Sequence, residues 1–445
     1  MAEVTEALES RDRWPAMFRA LRHRNYRLFF SGQIISLIGT WMQSVAQSWL
    51  VYSLTGSSLL LGIVGFASQI PVFLLAPAGG LVADRYSRHR IVVATQTTAM
   101  VLALILSALT LLKHIQVWQI IVLASLMGIV NAFDIPARQA LIVEMVNSDD
   151  LLNAIALNSS MVNSARILGP AIAGVMVAVI GEGWCFFANG VSYIAVLAGL
   201  LLMVVPAREP REGASALEGV VEGFRFVART GPILALLLLL GLVSVTGMPY
   251  TVLMPIFADQ ILHGGARGLG WLMGASGIGA LTGTLILAAK REVRGLGKWI
   301  TLASAGFGGS MILFAFSQSF YLSMALLVPV GFSMMLQMAS SNTLIQTMSP
   351  DGLRGRVMAI YSMMFMGMAP FGSLMAGALA ERLGAPATVV IGGFACLLGA
   401  AIFAWRWPGL RGEARQLIHA QTISSGEPPE SMTGQQAVTL GKGSE

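Results

Sequence analysis

Charge is what this sequence has least of. Only 11% of its 445 residues are Asp, Glu, Lys or Arg, whereas a soluble domain carries about a quarter. That stock cannot cover a water-exposed surface, so a soluble globular fold is excluded. Cysteine is nearly absent. Cys185 and Cys396, far apart, exclude a disulfide framework and a cysteine-based metal site, and each is expected to pack as a small apolar side chain. No Gly-x-x-x-x-Gly-Lys-Ser/Thr stretch occurs, so ATP is not the fuel. No pair of His or Asp shares a helix face in the middle of an apolar run, and no nucleophile stands at a suitable distance from a base. An enzyme, a resident metal and a cofactor are therefore not expected. The apolar runs do not alternate with polar residues, which excludes a transmembrane β-barrel. The first thirty residues lack a short apolar core ending in a small-residue cleavage site, so the first span is expected to be retained.

What is abundant is apolar surface: 55% of residues are hydrophobic and the mean hydropathy is +0.72. Runs long enough to cross a bilayer as helices recur over 27–52, 58–83, 91–112, 117–138, 152–180, 184–206, 232–258, 268–289, 298–317, 320–347, 356–381 and 386–407. They predict an all-α polytopic membrane protein with twelve transmembrane helices. The longest connection divides these into two sets of six. The expected organisation is a terminal segment 1–26, a six-helix bundle 27–206, a central loop 207–231, a second bundle 232–407, and a polar tail 408–445 that is expected to be disordered. Of the 28 Lys and Arg, 24 fall in the two terminal segments and alternate connections. Lys113, Arg267 and Arg382 fall on the other side, and Arg166 lies inside a span. This asymmetry puts both termini in the cytoplasm. The pI near 9.6 then reflects topology rather than a nucleic-acid partner.

The halves resemble each other. The stretch ALIVEMVNSDDLLNAIAL (140–157) matches TLIQTMSPDGLRGRVMAI (343–360), and Pro170 in ILGPAIAG is paired with Pro370 in GMAPFGSLMAG, at an offset of about 200 residues. Two parallel six-helix repeats with a binding site between them are one large transporter architecture.

Between the second and third spans lies GGLVADRYSRHR. Its Gly80, Asp84, Arg85, Arg88 and Arg90 match the Gly-x-x-x-Asp-Arg-x-x-Arg-x-Arg/Lys signature, and here the chain resembles the major facilitator superfamily. The resemblance implies that superfamily's fold, two pseudo-symmetric six-helix bundles, and a gating role for this segment. Gly80 would let another helix approach, and Asp84 would face the N-terminus of a helix from the other half. The cluster would latch the halves while the cytoplasmic side is closed. Asp134 and Arg138, at i and i+4 on the fourth span, form a helix ion pair, with Asp134 a second partner for the loop arginines. The alternatives are that the arginines only anchor topology and that the pair is solvated.

Within the superfamily, FRALRHRNYRLFFSGQIISLIGTWMQSVAQSWLVYSLTGSS, FDIPARQALIVEMV, ARILGPAIAG and LRGRVMAIYSM resemble the bacterial transmembrane secretion effector branch, which includes the enterobactin exporter. The resemblance covers roughly residues 18–407. It implies a monomeric secondary active transporter in the inner membrane that exports a siderophore, macrolide or other drug-like compound by alternating access, with proton coupling. Gly169, Pro170 and Gly174 also resemble the fifth-helix motif of drug/proton antiporters, without its upstream glycine series. The second-half counterpart of the loop signature, GTLILAAKREVRGLG, has lost its aspartate. A lipid or lysolipid flippase of the same fold, or a non-transporting scaffold or sensor, are the alternatives.

In this fold spans 1, 4, 7 and 10 line the cavity. Gln43 and Gln47 on span 1, Asn131 on span 4, Gln337 and Asn342 on span 10 are the candidate lining residues, joined by Asn163 and Arg166 on span 5. Arg166 sits near the bilayer midplane, where a charge costs several kcal/mol unless it is paired or faces water. No carboxylate lies at that depth. Arg166 either binds an anionic group of the substrate or braces span 5 to span 1 through Gln43 or Gln47. Ten of the 25 methionines fall between Met334 and Met375 and suit either an adaptable ligand surface or ordinary packing.

Overall fold

The computed structural model describes residues 16–204, 216–289 and 295–424. Its membrane helices are α1 Arg24–Thr55, α2 Ser58–Arg85, α3 Arg88–Leu111, α4 Val117–Met145, α5 Ser148–Ile180, α6 Glu182–Leu201, α7 Gly231–Ile261, α8 Gly265–Ala289, α9 Leu296–Phe316, α10 Phe320–Met348, α11 Asp351–Leu383 and α12 Ala385–Ser424. Eleven of them are long and apolar enough to span a bilayer. The other, α1, has the length, but Gln33, Ser36, Thr40, Gln43, Ser44 and Gln47 lower its hydropathy.

The helix ends follow from local chemistry. Gly56, at φ 63°, closes α1 with its amide on the Tyr52 carbonyl, a left-handed cap that glycine adopts without strain. Ser57 then caps α2 by accepting from the Leu60 amide. Proline breaks the regular ladder elsewhere. In α11 the break falls at residues 367–368, just before Pro370. In α7, π-helical turns at Val243–Gly247 and Phe257–Ile261 flank Pro249 and Pro255.

Packing repeats with two-fold pseudo-symmetry. In the first half α1 packs on α5 and α6, and α4 on α2 and α3, with α3 also on α6. In the second half α7 packs on α11 and α12, and α10 on α8 and α9, with α9 also on α12. The halves meet through α2 with α11 and α5 with α8. Gly62 abuts Gly377 at the first contact and Gly174 abuts Gly270 at the second, so close that a Cβ on any of them would meet backbone within 3 Å. Gly62 and Gly270 are 208 residues apart in sequence, and Gly174 and Gly377 are 203 apart. These offsets correct one detail of the repeat. Pro170 and Ser373, whose carbonyls face Gly270 and Gly62, are the equivalent pair, and Pro370 lies three residues out of register. Both contacts lie away from the face that bears the chain ends.

Both terminal segments contribute helical structure. A 3-10 turn at Ala16–Arg22 docks on the start of α5. There Asp150, fully buried, is held by Arg19 at 3.1 Å, Arg22 at 2.6 Å and His23 at 2.8 Å. The Ala20 amide donates to Asn153, which donates back to the Met17 carbonyl. These arginines read in the sequence as topology signals alone. Charge-assisted bonds are worth about 1.5–3 kcal/mol each, less where a partner is solvated, and Arg19 is 41% exposed. Asp150→Ala is therefore expected to cost about 2 kcal/mol and to lower the melting temperature in detergent, with Asp150→Asn intermediate. An unchanged melting curve would show that the cluster is not holding the turn.

At the other end, α12 continues past the expected boundary at 407 to Ser424. Leu410, Ala414, Leu417 and Ile418 recur on one helical face. Ala414 is buried and Leu417 and Ile418 pack on the core, so this part of the tail is helical rather than disordered. Residues 425–445 lie outside the described residues. The central connection carries a helix, Ala216–Arg229, whose Phe226 and Val227 turn to the core while Arg225 and Arg229 face out.

Candidate functional site

A cavity of about 510 Å³ lies between the halves. Its walls come from α1, α2, α4, α5, α7 and α8, with Asn189 and Tyr193 of α6 and Met366 of α11. Gln43, Gln47, Asn131 and Arg166 line it, as does Pro170. Among the described residues that line it there is no Asp, Glu, Lys or His, so Arg166 carries its only formal charge.

The helix-5 glycines and proline explain how Arg166 is placed. Gly169 packs on Trp41, where a Cβ would come within 2.4 Å of the Trp41 Cβ, so α5 and α1 approach closely there. That brings the Trp41 ring beneath the guanidinium, with Cζ 5.8 Å from the ring centroid, inside cation–π range. Pro170 has no amide proton to offer the Arg166 carbonyl one turn back, which loosens the helix at the cavity wall. Gly174, one turn further, makes the contact with α8. Of the three motif residues, Gly169 thus faces α1, while the Pro170 carbonyl and Gly174 both meet Gly270 of α8. The brace through Gln43 is not formed: Gln43 Oε1 accepts from Asn189 Nδ2 at 2.7 Å. Tyr250, on the facing wall, shares a 2.8 Å hydrogen bond with Ser276.

Three sequence candidates lie elsewhere. Asn163 donates to the Ser159 carbonyl of its own helix and does not line the cavity. Asn342 accepts from Gln346 one turn on. Gln337 is 1% exposed and absent from the cavity wall. The repeat offsets give the reason. Gln337 is the counterpart of Asp134, Ser304 of Gln96, and Ser341 of Arg138. These positions sit between packed helices in both halves, so Gln337 occupies the packing position that Asp134 takes in the first half. Polar and apolar cavity residues on α7 and α8, among them Tyr250, Thr251, Met273 and Ser276, went unnoticed in the sequence because they lie in long apolar runs with no polar stripe. The lining methionines are Met127, Met248, Met254, Met273 and Met366, so only Met366 comes from the methionine-rich stretch.

The signature between α2 and α3 is open in this conformation. The Asp84 side chain is 66% exposed and 3.7 Å from Arg88. Arg88 turns instead to Glu144 at 3.0 Å and to the carbonyls of Ala83 and Ala140, and Glu144 is a partner that sequence reasoning missed. Arg85 and Arg90 are exposed. Nothing lies within 4 Å of where a Gly80 Cβ would be; Gly79, against the Ala132 carbonyl, makes the close helix approach. Asp134 is buried and does not meet the loop arginines. Its Oδ1 accepts from Thr95 at 2.8 Å and Gln96 at 3.0 Å, and its Oδ2 lies 3.3 Å from Arg138. This corrects the expected Asp134 partnership: the carboxylate is consumed between α3 and α4. The second-half counterpart of the signature includes residues 290–294, outside the described residues.

Residues 16–427 match the transmembrane secretion effector family along nearly the whole chain. The chain belongs to that family, whose members are major facilitator transporters. It is 28% identical over 381 residues to the staphyloferrin A transporter of Staphylococcus aureus, covering 85% of this chain and 95% of that one. It is 30% identical over 363 residues to the multidrug efflux pump Tap of Mycolicibacterium fortuitum, covering 79% and 88%. A solved POT family transporter in complex with 5-aminolevulinic acid has the same fold, with a TM-score of 0.72 at 11% identity over 87% of this chain and 96% of that one. The family fixes the class: this is a multi-pass membrane transporter of the major facilitator fold, handling a small molecule.

Proposed function

We propose that this transporter is a monomeric secondary active exporter in the inner membrane, moving an amphipathic small molecule with an anionic group outward by alternating access. The observation that carries this is the cavity. Its volume suits a drug-sized ligand, its wall mixes glutamine and asparagine with methionine and aromatic rings, and its one charge is a guanidinium with no carboxylate to neutralise it. A guanidinium resting on an indole face keeps its fork of donors for a carboxylate or catecholate. Relatives named as a staphyloferrin A transporter and as a multidrug efflux pump support a small-molecule cargo. The distribution of Lys and Arg supports a cytoplasmic location for both chain ends. Proton coupling would run through Asp134, buried one residue from the cavity-lining Ile135, since no carboxylate lines the wall.

The test is accumulation of siderophores, macrolides and dyes in cells with and without the protein. At least one carboxylate- or catecholate-bearing siderophore should accumulate less when the protein is present. Equal accumulation of every compound would remove the export reading.

A further inference from the structure

The two pseudo-equivalent contacts between the halves differ in one respect: among the described residues, a carboxylate caps the helix start at one of them and not at the other. At the contact of α2 with α11, Glu381 lies one turn beyond Gly377 and reaches over the start of α2. Its Oε2 accepts from the Ser57 hydroxyl at 3.1 Å, the Ser58 hydroxyl at 2.8 Å and the Leu59 amide at 3.1 Å. This is where a helix has unpaired amides and the positive end of its dipole, so a carboxylate is favoured there. At the contact of α5 with α8, the repeat offsets put Ala178 and Ala266 in the places of Glu381 and Ser58. The helices approach equally closely there without any such group. Close packing therefore does not require the carboxylate.

A second tie lies on the same face. The Tyr52 hydroxyl, at the end of α1, donates to Asp259 of α7 at 2.8 Å. By contrast, the ion pairs Arg88–Glu144, Arg138–Asp134 and Arg354–Asp351 each stay within one half, and Arg356–Glu222 ties the central connection to the second half.

We propose that Glu381 is a latch holding shut the face away from the chain ends, supported by Tyr52 and Asp259, and that it must leave the α2 N-terminus before the cavity can open on that face. The latch rests on the alternating-access reading above. It biases the equilibrium because its three bonds exist in one conformer only; when the halves part there, the carboxylate and the amides return to water.

The test uses a single reporter, Ser48→Cys, in a chain whose Cys185 and Cys396 are replaced by Ala. Ser48 lines the cavity one turn below Tyr52. Labelling by an impermeant maleimide is measured from each face in turn. The parent should be protected from the latched face and reactive from the other. Glu381→Ala should raise labelling from the latched face about tenfold and lower it from the opposite face. Glu381→Gln, which keeps an acceptor and loses the charge, should fall between, and it serves if the alanine variant does not fold. Labelling from the latched face that is no faster in either variant overturns the latch. A rise on that face with no fall on the other leaves the latch standing and removes alternating access instead.

Discussion

Replacing Arg166 by Gln is expected to reduce export of an anionic cargo about a hundredfold, because losing one partner of a desolvated, hydrogen-bonded charge pair costs several kcal/mol. Arg166→Lys should lose about tenfold, since the ammonium keeps the charge but not the planar fork. A neutral cargo of similar size should change little in either variant. The expectation follows from the site. The guanidinium rests on the Trp41 ring, and no acidic side chain among the described lining residues neutralises it. A charge at midplane that the protein does not pair is held for something that enters from water. If Arg166 instead braces α5 on α1 through Trp41, both variants should lose thermal stability in detergent, and neutral and anionic cargo should suffer alike. Transport of one compound of each charge, measured beside the melting temperature, separates the two roles. Trp41→Phe sharpens the comparison, because it weakens the platform while leaving the charge.

Much of the frame was legible because it depends on local chemistry. The apolar runs set the twelve helices to within a few residues at most ends. The repeat was visible too, though the pairing of Pro170 with Pro370 was three residues out. Proline marks a backbone break and need not recur at equivalent positions, whereas the glycines at the contact of the halves must. What the sequence hid is contact over long separations. Asp150 and Arg19 are 131 residues apart, and Glu381 and Ser58 are 323 apart, and nothing in either segment names its partner. Arg166 stood out by its cost in the membrane, but its neighbour did not. Gln43 and Gln47, two and six residues along α1 from that neighbour, Trp41, were the apparent partners, and Gln43 is taken by Asn189 on α6. The polar residues of α10 misled for a related reason. A polar side chain in a membrane helix faces either water or another helix, and periodicity alone does not distinguish them.

Asp84→Asn is expected to push the transporter toward the conformer seen here and to cut export about tenfold, the opposite bias to Glu381→Ala. The helices α2 and α11 run antiparallel and touch near the latched face, at Gly62 with Gly377 and, nearer the middle, at Phe73 with Gly367. Rocking about that contact brings their other ends together. Asp84, at the last turn of α2, is then expected to meet the first two turns of α11, where Asp351, Arg354 and Arg356 lie. A carboxylate there gains the helix N-terminus and the two arginines, and it has none of these in the open conformer, where it is two-thirds exposed. The two carboxylates Asp84 and Glu381 stand at opposite ends of one helix pair: Glu381 reaches across to the other half in the conformer seen here, and Asp84 is expected to do so in the opposite one. Removing one tilts the equilibrium, and removing both should restore much of the balance. The reporter at Ser48 reads this directly. Asp84→Asn should raise labelling from the chain-end face, and the Asp84→Asn, Glu381→Gln double variant should return both faces toward the parent. A double variant that simply adds the two export defects, with labelling no nearer the parent, would mean that the two sites do not act on one conformational equilibrium.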